Sequence, residues 1–127
     1  MSDAVAVSAL ADRLFAAIGS GNIDTLTNCM SEDVTVWTNF DDRTVDRAAA
    51  LQTIAWLSGH VEGLRYEIVE RLVTDTGFVQ RHILRGTSRS GLEIAMPACI
   101  VATVAGGRVT AMAEYLDPAP LIAAVSQ

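Results

Sequence analysis

The chain has no lysine: its nine basic residues are all arginine, set against 15 acids, for a formal charge of −6. That balance excludes nucleic acid and anionic membrane surfaces as natural partners. Charged residues are also few, at 19% against 50% hydrophobic, which excludes a disordered chain. Cysteine is scarce. Cys29 and Cys99 lie far apart, with no CxxC pair and no histidine at metal-ligand spacing. They read as two buried free thiols in a reducing cytoplasm, with no disulfide framework and no metal site. The opening MSDAVAVSALADR carries an early acid and no basic region, so it does not read as a secretory signal. The most apolar stretch, IAMPACIVATVAGG, contains a proline and is too short to span a bilayer. No repeat, linker or low-complexity segment appears, and 127 residues fit a single domain, 1–127, with one core.

What is present is periodic. Val7, Leu10, Leu14 and Ile18 recur at helical spacing, and Gly19 and Gly21 end that helix. Asn22 caps a short second helix bearing Ile23, Leu26 and Met30. VTVWTN (34–39) alternates as a first strand, followed by the polar loop FDDRTVD. Asp46 caps a third helix carrying Leu51, Ile54 and Leu57, with Gly59 as its stop. Four strands follow, at 64–74, 78–87, 92–104 and 108–116, separated by DTG, SRSG and AGG turns. Pro97 implies a bulge or an edge position. In DPAPLIAAV, Asp117 is the N-cap and Pro118 the first residue of a closing helix. The order predicts an α+β domain with helices on one face of an antiparallel sheet.

The stretch FVQRHILRG shows which face is inside. With DTG as a three-residue loop, even positions on the two flanking strands face even positions. The odd face then carries Arg65, Glu67, Arg71, Arg81 and Arg85, with Glu67 opposite Arg85. The even face carries Leu64, Tyr66, Ile68, Glu70, Leu72, Phe78, Gln80, His82 and Leu84. The even face is therefore inside, and Gln80, His82 and Glu70 are buried polar groups that need partners. On the last strand Thr110, Met112, Glu114 and Leu116 share a face, while Val109, Ala111, Ala113 and Tyr115 share the other. Alternation alone leaves open which of these is inside.

The helix-helix-strand-helix-meander order, VTVWTN, RHILRGT and the closing GGRVTAMAEYLDPAPL resemble the nuclear transport factor 2-like superfamily. The likeness covers nearly the whole chain. It is nearest to the polyketide cyclase-like (SnoaL-like) and limonene-1,2-epoxide hydrolase-like branches. The resemblance implies a cone: a curved antiparallel sheet with three helices on its concave face, a short C-terminal helix and an internal pocket. Epoxide hydrolases of this type carry Tyr-x-Asn on the first strand, Arg-x-Asp on a middle strand and an aspartate on the last. Here WTN keeps Asn39 and puts Trp37 for the tyrosine, QRH puts Gln80 and His82 for the second pair, and EYLD puts Glu114 for the aspartate. The ketosteroid isomerase dyad is absent, since its positions read Thr38 and Cys99 or Ile100.

The resemblance thus implies Glu114 as general base, His82 as acid or orienter and Asn39 as a holder of water. Trp37, Gln80, Tyr66, Glu70, Leu84, Met96, Met112 and Leu116 would bind substrate. The expected function is cofactor-free and metal-free acid/base chemistry on a small hydrophobic molecule: epoxide hydrolysis, cyclisation or isomerisation. The alternative is a non-catalytic pocket for an apolar ligand. Each residue also has a structural role open to it. His82 is then a satisfied interior histidine, Glu114 a structural acid, Asn39 a strand-end turn residue, and Trp37 and Tyr66 packing groups. Asp117 reads as a helix cap, and Asp41–Arg43 as a solvated loop or the pocket mouth. The other sheet face, with Val69, Val73, Val79, Ile83 and Tyr115 among arginines, suggests a homodimer through sheet packing.

Overall fold

A computed structural model describes residues 3–126. These form four helices and six strands: α1 (Ala4–Ser20), α2 (Ile23–Cys29), β1 (Met30–Thr38), β2 (Arg43–Val45), α3 (Arg47–His60), β3 (Val61–Val73), β4 (Gly77–Ser88), β5 (Glu93–Ala105), β6 (Arg108–Leu116) and α4 (Ala119–Val125). The helix starts follow the capping residues. Asp3 accepts from the amide of Val5, Asn22 from Thr25 and Asp46 from Ala49, which satisfies donors left free in each first turn. Gly21 closes α1 in the left-handed region at φ 68°, where a side chain would be strained. The third helix runs one residue past Gly59, to His60. At the far end Pro118 occupies the N-cap and Asp117 bonds the amide of Ala119.

The strands form one sheet in the order β2-β1-β6-β5-β4-β3. It is mixed rather than wholly antiparallel, because β1 lies parallel to β6, with Thr38 beside Glu114. The short strand β2, inside the segment expected as loop, pairs antiparallel with β1. Helices cover the inner face, and the core there joins Leu10, Leu14 and Phe15 of α1 to Phe78 and Leu84 of β4 and Ile100 of β5. Pro97 sits opposite Ile83, one residue beyond the last β6 pairing, so β5 has a neighbour on one side only at that point. That is the edge position its missing N–H requires. Cys29 is buried, whereas Cys99 is only half-buried on the outer face, and both thiols are free. No helix among the described residues is long and apolar enough to cross a membrane.

The even face of β4 is inside: Phe78, Gln80, His82 and Leu84 are all buried. The β3–β4 register corrects the expected partners. At the hairpin end Val73 pairs with Phe78 and Arg71 with Gln80, so odd residues of β3 share a face with even residues of β4. An irregularity between Ile68 and Glu70 then restores even-with-even pairing, with Ile68 beside His82 and Tyr66 beside Leu84. Arg71 and Val73 therefore point inward. Glu70 and Leu72, expected inside, face out, and Glu70 binds Arg81 at 3.0 Å on the surface. Glu67 meets Arg85 at 3.0 Å as expected, though on the diagonal, since Arg65 is the residue directly opposite.

Gly77 opens β4 where the backbone of Ala102 passes. A Cβ built there collides with the Ala102 carbonyl, which neighbouring pairings hold in place. Gly77→Ala is expected to destabilise the fold by about 1–3 kcal/mol, read as a lower urea midpoint at unchanged slope.

Candidate functional site

The helices and the inner sheet face enclose a cavity of about 280 Å³. Leu14, Phe15 and Ile18 of α1, Ile54 and Leu57 of α3, and Leu84, Met96, Ile100 and Met112 of the sheet give it an apolar wall. Glu114 and Tyr66 are the ionisable groups set into that wall. Phe40, Asp41, Arg43, Thr53 and Trp56, all exposed, form its rim. So the Asp41–Arg43 segment, which composition allowed as either a solvated loop or a pocket mouth, is at the mouth.

Glu114 reaches the cavity because β6 alternates and its even residues face inward, as Met112 and Leu116 do. Among the described residues no side chain or backbone donor bonds its carboxylate. Burial without a partner raises its pKa from 4.5 to about 7. Tyr66, from β3, is wedged edge-on against Phe15 and His82, with ring centroids 5.0 and 4.7 Å away. Its hydroxyl also has no bonded partner among the described residues. Burial, and secondarily the charge of Glu114, push its pKa well above the ordinary phenol value, so it stays protonated. At the rim, the hydrogen bond from Thr38 Oγ1 at 2.7 Å is the largest cause of the lowered pKa of Asp41.

Six sequence-predicted residues line the cavity together: Glu114, Tyr66, Leu84, Met96, Met112 and Leu116. The others do not. Gln80 and His82 are buried behind the Tyr66–Phe15 part of the wall, bonded to each other at 2.8 Å. Burial lowers the His82 pKa from 6.5 to about 4, so the ring is neutral near pH 7. Glu70, expected inside on the same face as His82, is outside and binds Arg81 instead. Trp37 and Asn39 have the wrong parity. Trp37 lies on the outer face, edge-on to Tyr115 at 5.2 Å, and donates Nε1–H to Asp42 at 2.8 Å. Asn39 is exposed and accepts from the Leu116 amide at 2.8 Å, which ties the end of β1 to β6.

The inward positions of β1 are Val34, Val36 and Thr38, and the last two line the cavity. The signal was available in the sequence, since Val34 and Val36 are the apolar pair of that alternation. The match of WTN to the Tyr-x-Asn pattern points instead to the odd residues, Trp37 and Asn39. No three His, Cys, Asp or Glu side chains among the described residues converge to hold a metal ion.

Glu114 and His82 tilt stability in opposite directions. The folded Glu114 binds its proton more tightly than the unfolded one, so its contribution is full below about 4.5 and lost as pH rises through about 7. The folded His82 binds its proton more weakly, so its contribution is full above 6.5 and lost as pH falls toward about 4. From pH 4.5 to 6.5 the two slopes oppose each other, and wild-type stability should be nearly flat as far as these groups set it. Glu114→Gln leaves only the histidine slope. Its unfolding free energy should rise across that window by on the order of 2–3 kcal/mol, measured by urea titration at several pH values.

No curated protein matches the sequence. Several solved structures share the fold at low identity. IdmH, a candidate polyketide cyclase from Streptomyces antibioticus, superposes with a TM-score of 0.82 at 17% identity, over 95% of this chain and 99% of that one. Bal32a, from a soil-derived mobile gene cassette, gives 0.80 at 22% identity, over 97% and 98%. An epoxide hydrolase of the LEH-like type from M. tuberculosis gives 0.77 at 15% identity, over 96% and 90%. At the level of sequence, residues 11–112 match the SnoaL-like domain. The chain belongs to the SnoaL-like domain family, a branch of the nuclear transport factor 2-like fold.

Proposed function

We propose that the protein catalyses cofactor-free proton transfer next to a carbonyl group of a small apolar molecule, as in cyclisation or isomerisation. The observation that carries this reading is the pairing in one apolar cavity of an unbonded carboxylate and an unbonded phenol, Glu114 and Tyr66. A carboxylate with a pKa of about 7 is half ionised at neutral pH and can both take a proton and return it. The Glu114 carboxylate takes a proton from the carbon beside the carbonyl. The C–H electron pair becomes the C=C bond as the carbonyl π pair moves onto oxygen. The Tyr66 hydroxyl donates to that oxyanion. In isomerisation, Glu114 returns the proton to a different carbon. In cyclisation, the enolate carbon attacks a second carbonyl of the same molecule, and the new alkoxide takes the proton from Glu114.

Epoxide hydrolysis is less well supported. It needs a protonated acid opposite the base and groups that hold water. His82 is neutral and behind the wall, while Asn39 and Trp37 have their bonds outside the cavity.

The test is deuterium uptake in heavy water by a panel of bicyclic aryl ketones and 1,3-diketones, followed by proton NMR. Wild type should exchange the carbonyl-flanking hydrogens, with kcat/KM rising with pH through about 7 to a plateau as Glu114 ionises. Glu114→Gln should lose about 10²–10⁴-fold and Tyr66→Phe about 10²–10³-fold. Tight binding of the same ketones with no exchange in wild type would instead favour the non-catalytic pocket.

We further propose a homodimer through the outer sheet face. Leu72, Val101 and Tyr115 stand there 55%, 45% and 48% exposed, with the Arg81–Glu70 and Arg85–Glu67 pairs on the same face. An apolar row among ion pairs matches the make-up of a protein interface. Val73, which faces the core, is not part of it; Leu72 takes its place. Light scattering should give a dimer for wild type and a folded monomer for Val101→Arg. A wild-type monomer at high micromolar concentration would refute the proposal.

A further inference from the structure

Behind the cavity wall a chain of polar side chains runs from the surface of α1 into the core. Asp12 accepts from Arg71 Nη1 at 2.7 Å, and the same nitrogen donates to the Ser8 carbonyl and Oγ at 3.1 and 3.0 Å. Arg71 Nε donates to Gln80 Oε1 at 2.8 Å. Gln80 Nε2 lies 2.8 Å from His82 Nδ1. The His82 ring then meets Tyr66 at 4.7 Å and Phe15 at 5.2 Å, both edge-on. Gln80 and His82 are fully buried.

The chemistry of each link determines the next. A guanidinium has donors only, so the Gln80 atom facing Arg71 must be the oxygen. The other end of the amide is then the NH₂, also donor only. His82 Nδ1 must accept from it, and the ring's own proton therefore sits on Nε2. A second proton on Nδ1 would face an amide N–H across 2.8 Å.

We propose that Arg71, Gln80 and His82 form a positioning relay, which fixes the Nε2–H tautomer of His82 and, through the ring contact, holds the Tyr66 phenol in the cavity wall. These are positioning residues, since none of them lines the cavity. The one carboxylate in this run of polar side chains, Asp12, bonds Arg71 at its outer end. No carboxylate among the described residues bonds the ring: on β3 Ile68 pairs beside it and Tyr66 packs on it, on β5 Ala98 stands opposite, and on α1 Phe15 packs against it. The catalytic consequence rests on the proton-transfer reading of Tyr66, but the tautomer does not.

Histidine nitrogen NMR tests the relay without substrate, so its outcome is separate from that of the exchange assay. The sequence has only two histidines, and His60→Gln assigns the spectrum. Wild-type His82 should show a protonated-type Nε2 and an unprotonated-type Nδ1 from pH 5 to 8. A protonated Nδ1 in that range overturns the proposal, and this measurement needs no variant of the relay. Gln80→Glu supplies an acceptor instead of a donor. It should move the His82 proton to Nδ1 and raise the ring's titration midpoint by about 1–3 pH units. An unchanged tautomer in a folded Gln80→Glu protein overturns it as well. For the last link, 3-fluorotyrosine reports only two residues, Tyr66 and Tyr115. Gln80→Glu should shift the Tyr66 fluorine resonance and leave that of Tyr115 in place; an unmoved Tyr66 signal refutes the positioning of the phenol.

Discussion

The hydrogen bond between Arg71 Nε and Gln80 Oε1 is the contact on which the inner face of the sheet depends. Gln80 is fully buried, and a buried amide without a partner costs about 1–3 kcal/mol. The bond exists only because pairing at the β3–β4 hairpin end places an odd residue of β3 beside an even residue of β4. The irregularity near Val69 then returns the strand to its original parity, so that Tyr66 also faces inward. Two inward residues that simple alternation would put on opposite faces are thus both available. The arginine also reaches α1 through Ser8 and Asp12, which fixes the helix carrying Phe15 over the sheet. The position of the cavity wall follows from that.

The architecture was legible because its signals are local. The caps at Asn22 and Asp46, the DTG, SRSG and AGG turns and the alternation of Phe78, Gln80, His82 and Leu84 each stand in a few adjacent residues. The fold family was legible for the same reason, through stretches such as RHILRGT and EYLD. What could not be read was pairing across distance. The shift near Val69 has no marker such as glycine or proline, so Glu70 and Arg71 were assigned to each other's faces. The parallel contact of β1 with β6 joins segments far apart in the chain, and it alone puts Thr38 beside Glu114. Asn39 and Trp37 match the Tyr-x-Asn pattern by residue type alone, and a polar residue at a strand end such as Asn39 can serve the backbone as readily as a ligand. Here it serves the backbone.

The cavity owes its chemistry to an imbalance. Hydrophobic groups surround Glu114 and Tyr66 closely enough to shift both, yet no internal donor or acceptor among the described residues quenches either one. The charge of Glu114 adds to the proton affinity of Tyr66, since ionising the phenol would place a second negative charge near the carboxylate. His82 does not disturb that pair, because burial keeps its ring neutral. A protonated imidazole at the same place would pull the carboxylate back toward its ordinary range. In such an arrangement the fold provides an apolar wall and a few side chains determine the rest.

Because β1 pairs with β6, the wall of the cavity is closed by the first strand of the chain and the last. During synthesis α1, α2 and β1 emerge long before β6 is made, and β1 meanwhile has only the three-residue β2 as a strand partner. Glu114 enters its apolar surroundings only when β6 slots between β1 and β5. The desolvation of that carboxylate is therefore deferred to the final stage of assembly, after most of the apolar surface that compensates it has been buried. High contact order of this kind slows folding. It also means that a chain stalled before β6 has an open sheet edge and an incomplete pocket, and is a target for chaperones.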